Sequence, residues 1–135
     1  MAAHGGVLID TSVLIAIERG ALDLTAVASD PHEPLAMSAV TAHELLRGAA
    51  RLPPGVRRAR SERWLETLLG SVPVIEYDLD IARVHAALWA EMSASGHTLG
   101  EHDQMIAATA ISLGYDLATR DAAFDTVPDL AVRRW

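Results

Sequence analysis

Four acidic residues stand where an apolar segment gives way to a polar one. Asp10 lies in "VLIDTSVLIA" (7–16), Glu44 in "SAVTAHELLRGA" (38–49), and Asp103 and Asp121 in "GEHDQMIAATAISLGYDLATRDAAF" (100–124). Each has an ordinary structural use. Asp10 suits a helix cap, and Glu44 can close a capping box with Thr41, since T-x-x-E fits that pattern. Asp103 is a favourable charge in a first helical turn, and Asp121 can open a type I turn. If they converge, a second use arises. Two like charges about 4 Å apart cost on the order of 4 kcal/mol at an effective dielectric near 20. A divalent cation removes that cost, and hard oxygen donors of this kind suit Mg²⁺ or Mn²⁺ with waters completing the shell. Such an ion generates hydroxide and stabilises charge on a phosphoryl group.

Convergence depends on the elements that carry the acids. Val7–Asp10 reads as a short buried strand, and Ser12–Arg19 as a helix stopped by Gly20. A second short helix covers Leu22–Ala28, "DPHEP" (30–34) is a turn, and Leu35–Met37 is a strand. Ser38 caps a helix that runs to about Ala50. "RLPPGVRR" ends it, and a new helix spans roughly Val56–Leu69. Val72–Glu76 reads as a strand. Ile81, Val84, His85, Leu88, Trp89 and Met92 then recur at helical spacing. The stretch 103–114 is apolar on nearly every side, which predicts a buried helix with Gly114 at its end. Tyr115–Ala118 and Ala131–Trp135 complete the strands. This alternation implies an α/β domain with a mostly parallel sheet of about five strands, covered by helices on both faces. Sites in such sheets form at the carboxyl ends of the strands, where Asp10 and Asp121 fall.

Several common uses of that architecture lack their motifs. No G-x-G-x-x-G follows the first strand, and there is no G-x-x-x-x-G-K-[ST] or G-x-S-x-G. A haloacid-dehalogenase-like site wants a second Asp at position 12, where Ser12 stands. That family and receiver domains also use a lysine, and the chain has none. Cysteine is absent, which excludes disulfides and thiolate metal sites. The six histidines form no H-x-x-x-H pair, which argues against zinc.

The 135 residues fit one domain, 1–135. No apolar run approaches a membrane span, and "MAAHGG" lacks the pattern of a secretory leader, so a cytoplasmic protein with no membrane partner is expected. A net charge of −7 argues against coating nucleic acid by bulk charge. Yet Arg51, Arg57, Arg58, Arg60 and Arg63 fall within thirteen residues. They read either as a solvated helix face or as a phosphate-facing patch. Arg47, just beyond Glu44, is a further candidate phosphate contact.

The three quoted stretches resemble the PIN domain, in the form found in VapC-type toxins of bacterial toxin–antitoxin pairs. The likeness covers essentially the whole chain, and D-x-x-I-A-A-T-A followed by T-R-D-x-x-F is its most specific part. It implies a three-layer α/β/α sandwich and an endoribonuclease dependent on Mg²⁺ (or Mn²⁺) that cleaves structured RNA such as tRNA or rRNA. The products would carry a 5′-phosphate and a 3′-hydroxyl. A cognate VapB-type antitoxin would silence it, within a complex containing a toxin homodimer. By the same likeness Asp10, Glu44 and Asp103 hold the metal, and Asp121 positions a second ion or the attacking water. Thr11, Ser12 and Thr119 are the small polar positions beside them. Glu101 is a rival to Asp103, and Asp125 a weaker rival to Asp121.

Two other readings stand beside this one. One is a PIN-like module that binds RNA or protein without catalysis. The other is a phosphatase or DNA nuclease working on the same edge. His85 reads as a core histidine, and His102 as a polar neighbour of Asp103. The Trp64–Leu69 stripe reads as core or as a groove for a partner helix.

Overall fold

The computed structural model describes residues 5–135. Residues 1–4, on which much of the leader reading rests, lie outside it. Five strands form one sheet: β1 Val7–Ile9, β2 Leu35–Ser38, β3 Val74–Ile75, β4 Asp116–Thr119 and β5 Val132–Arg134. Their order is β3-β2-β1-β4-β5, and every pairing is parallel, Leu8 lying opposite Ala36 and Leu117. The expectation of a mostly parallel sheet is therefore met by a wholly parallel one. The predicted third and fifth strands shrink at their ends, because they are the sheet's edges and pair on one side only.

Central β1 is buried along its full length, as a strand covered on both faces must be. Alternation sends its side chains to opposite sides. Leu8 joins a core with Leu88, Met92, Ile106, Ala110, Leu117 and Phe124. This layer is built by α5 (Leu79–Ala94) and α6 (Glu101–Leu113). Ile9 joins the opposite core with Val13, Leu14, Met37, Leu45 and Leu65. There the cover is α1 (Thr11–Glu18), α3 (Ala39–Ala50) and α4 (Val56–Ser71), while the short α2 (Leu24–Val27) buries no residue. The layers are thus α/β/α, as expected. The backbone leading into β1 approaches Pro34 so closely that a Cβ at Gly6 would sit 2.6 Å from its carbonyl oxygen. Gly114, at φ 69°, ends α6 in the left-handed conformation that glycine adopts without strain. No helix among the described residues is long and apolar enough to cross a membrane.

Candidate active site

Two of the central strands, β1 and β4, are followed at their carboxyl ends by an acid, Asp10 and Asp121. Asp10 follows β1 and is 4% exposed. Its Oδ2 accepts from Ser12 Oγ at 2.7 Å, Thr119 Oγ1 at 2.8 Å and Ser12 N at 3.4 Å. The last of these makes Asp10 the N-cap of α1. Capping and site readings are therefore compatible, because all three donors fall on a single oxygen. Oδ1 has no hydrogen bond among the described residues. It is also not sealed off, since no buried side-chain oxygen there lacks a partner.

Glu44 departs from its structural reading. Ser38 caps α3 through Thr41 N at 3.0 Å, which takes the reciprocal box away from Glu44. Thr41 lies inside α3 instead of at its cap, and its backbone N–H, which Glu44 was expected to reach, already donates to Ser38. Instead it turns to α1, where Thr11 Oγ1 donates to its Oε1 at 2.8 Å. Its Oε2 lies 3.8 Å from His102 Nδ1, and His102 meets His43 edge to face. His102 is thus more than a polar neighbour of Asp103, a contact that sequence spacing gives no sign of.

Asp103 sits in the first turn of α6, and its carboxylate takes no hydrogen bond among the described residues. Burial pushes its pKa up to about 6, and the charges of Asp10, Asp121 and Glu44 push in the same direction against His102. Asp121 caps a short 3-10 helix, Ala122–Thr126, through Ala123 N at 2.9 Å. The expected turn is this helix. Thr119 ties the strand ends together, accepting from Asp121 N at 3.0 Å while donating to Asp10. Ser12 Oγ likewise accepts from Arg120 N at 3.0 Å. Thr11, Ser12 and Thr119 therefore touch the acids directly.

The two rival acids are engaged elsewhere. Glu101 lies 3.3 Å from His85 Nε2, and Asp125 is ion-paired with Arg134. His85 is buried as expected, held by Tyr77 Oη at 2.8 Å and Gln104 Oε1 at 3.2 Å. Arg47 is exposed on α3 and makes no side-chain bond to the acids among the described residues.

The donor set suits a hard cation. Four carboxylates share one electrostatic neighbourhood, Asp10 keeps an oxygen open, and Asp103 is held in a state that a cation would relieve. Among the described residues no three Asp, Glu or His side chains close into a ligand cage.

The PIN domain family model matches residues 7–130. The chain belongs to the PIN-domain family. This PIN domain is 35% identical over 125 residues to VapC ribonuclease Y4jK of Sinorhizobium fredii, covering 87% of this chain and 88% of that protein. Among solved structures, VapBC-1 from nontypeable Haemophilus influenzae superposes with a TM-score of 0.83 at 26% identity, covering 96% of this chain and 97% of that one. VapBC-5 from Mycobacterium tuberculosis, a member of the VapBC family of toxin-antitoxin systems, gives a TM-score of 0.75 at 27% identity, with 96% of both chains covered.

Proposed function

We propose that this PIN domain is a metal-dependent endoribonuclease toxin that hydrolyses RNA phosphodiester bonds, with structured RNA such as tRNA or rRNA as substrate. A cognate VapB-type antitoxin restrains it, in an assembly built on a toxin homodimer in the cytoplasm. The observation that carries the reading is the set of four carboxylates at the sheet edge, three of which raise the pKa of the fourth.

Asp10, through its open Oδ1, Asp103 and Glu44 would hold Mg²⁺ or Mn²⁺, whose chemistry when bound is to acidify water and draw off phosphoryl charge. The chain's own groups do the rest. Ser12 and Thr119 lock the Asp10 carboxylate by their two short bonds, so its free oxygen faces the edge without a rotamer search. Thr11 holds Glu44 in the same way. Asp121 accepts a hydrogen from the attacking water and aims it at phosphorus. Arg47 meets a phosphate of the bound strand.

The test is expression in a bacterial host of wild type beside Asp10→Asn, with 5′-monophosphate RNA ends mapped across the transcriptome. Growth arrest and a few sharp new ends with wild type alone are expected. New ends with a soluble Asp10→Asn protein would overturn the site. Soluble wild type that makes no ends in a host carrying the native RNAs would favour a module that only binds.

A further inference from the structure

The arginine-rich helix α4 does not present its five-residue basic run as one patch. Helical spacing divides it. Arg57, Arg60 and Trp64 line a cavity of roughly 450 Å³, with Arg19 at the end of α1 on its opposite wall. Glu44, one of the four site acids, also lines this cavity, which places the arginines beside that acid. Arg58 and Arg63 line a different cavity on the other side of α4, and Arg58 is spent in an ion pair with Glu62 at 2.8 Å. Arg19, Arg57 and Arg60 have no side-chain bond or ion pair among the described residues. Of the acids on their cavity, Glu18 is held by Ser61 Oγ at 2.9 Å and Glu44 by Thr11.

We infer that the Arg19–Arg57–Arg60 face is the track for single-stranded RNA leading to or from the scissile phosphate, with Trp64 offering a stacking surface. The inference rests on the ribonuclease reading and names where that site's substrate lies. The charge argument selects a polyanion. The chain carries a net charge of −7, yet three guanidinium groups without an ion pair among the described residues line one cavity against two carboxylates, Glu18 and Glu44. Residues three apart on a helix stand about 5–6 Å apart at Cβ, so Arg57 and Arg60 can grip neighbouring phosphates as bidentate forks. Trp64 is half-buried and packed on the Ile9–Leu65 core, which fixes the indole while leaving part of it on the cavity wall. A basic groove beside a fixed aromatic ring is the general solution for holding single strands.

The test compares two double variants that remove equal charge from the two faces of α4, R57A/R60A and R58A/R63A. Binding of a fluorescein-labelled short single-stranded RNA is read by anisotropy in EDTA, so that no cleavage intervenes, and thermal melts confirm that both variants fold. R57A/R60A is expected to weaken binding by roughly tenfold or more. It should also flatten the plot of log affinity against log salt by about 1.4, at about 0.7 per phosphate contact. R58A/R63A should lose less than about threefold. Equal losses in the two variants would overturn the track, because net charge alone would then explain them. So would wild-type RNA binding by R57A/R60A together with lost capture of the antitoxin chain, which would make the cavity a protein seat. Cleavage is scored separately with Mg²⁺. A wild-type chain that binds RNA with the expected split but never cuts would keep the track and sink the hydrolase.

Discussion

Both ends of the sheet gather carboxylates, but only one end supplies a cation for them. At the amino end, Asp116 opens β4 and Glu33 precedes β2. Arg133 grips both, with Nε 2.9 Å from Asp116 Oδ2 and the two terminal nitrogens 2.7 and 2.8 Å from the Glu33 oxygens. The hydrogen bonds to Glu33, and then those to Asp116, push the Arg133 pKa still higher than its ordinary value. At the carboxyl end, no arginine among the described residues bonds to the side chains of Asp10, Glu44, Asp103 or Asp121. Arg134 comes near, but it spends its charge on Asp125 and otherwise donates to backbone carbonyls, those of Asp121 at 3.0 Å and Thr119 at 3.5 Å. Clustered acids do not by themselves mark a site. Acids left without a counter-charge do, because the fold keeps a repulsion that a bound cation relieves.

The sharpest way to break this comparison is to neutralise one acid at each end. Asp10→Asn should lower RNA cleavage at least about a hundredfold, since one charge of the proposed metal-holding edge is lost. Asp116→Asn should leave cleavage within about twofold. Equal effects in a gel-based cleavage assay would erase the distinction between the ends.

Removing the cation should reverse the ranking for stability. Arg133→Met removes the cation that bonds both Glu33 and Asp116, and breaking such largely buried pairs costs up to about 3–5 kcal/mol. Urea denaturation reads this directly. A loss under about 0.5 kcal/mol would mean that the Arg133 pairs are too solvated to matter.

Asp103→Asn tests the other end in the opposite direction. The folded chain holds the Asp103 proton up to about pH 6, against an ordinary value of 3.8. The folded state therefore binds that proton more tightly than the unfolded state does. This contribution to stability is complete below about pH 4 and is lost as pH rises to about 6. Metal-free Asp103→Asn should accordingly unfold at higher urea than wild type at pH 7, and the gap should close at low pH. Saturating Mg²⁺ should then raise wild type more than the variant, because only the intact edge gains binding energy. A variant less stable than wild type in EDTA at pH 7 would show that Asp103 is not under repulsion.

The smallest effect belongs to the two rival acids. Glu101→Gln and Asp125→Asn should each change the Mg²⁺ dependence of cleavage by less than about twofold, since one carboxylate sits by His85 and the other by Arg134. A Mg²⁺ requirement raised tenfold by Glu101→Gln would bring that residue into the metal site.

The layers were legible from periodicity alone. "VLI" before Asp10 and the all-round apolar "MIAATA" allow only a central strand and a buried helix, and Gly114 marks the helix end by its backbone freedom. The acids were legible as a group because Asp10 and Asp121 follow strands, Asp103 opens a helix and Glu44 lies in the helix that follows β2. What lay outside the sequence is relational. Whether Glu44 bonds back to its own helix or across to Thr11 depends on how α1 and α3 pack, and no local spacing encodes that. The same holds for Asp10, where three donors choose one oxygen and leave the other open. It holds also for the arginines, which read as one run until the turn of α4 assigns Arg57 and Arg60 to one side and Arg58 and Arg63 to the other. The third strand is shorter than its sequence suggests because Val72, though β-branched, closes α4 by donating its N–H to Leu68 O, and β3 pairs on one side only.

The most direct test of the central claim is RNA cleavage by the purified chain across a Mg²⁺ titration, wild type beside Asp103→Asn. The account predicts no cleavage in EDTA, a saturable rise with Mg²⁺ for wild type, and none for a folded Asp103→Asn at any concentration. Cleavage by wild type in EDTA, or a Mg²⁺ curve for Asp103→Asn that matches wild type, would contradict it.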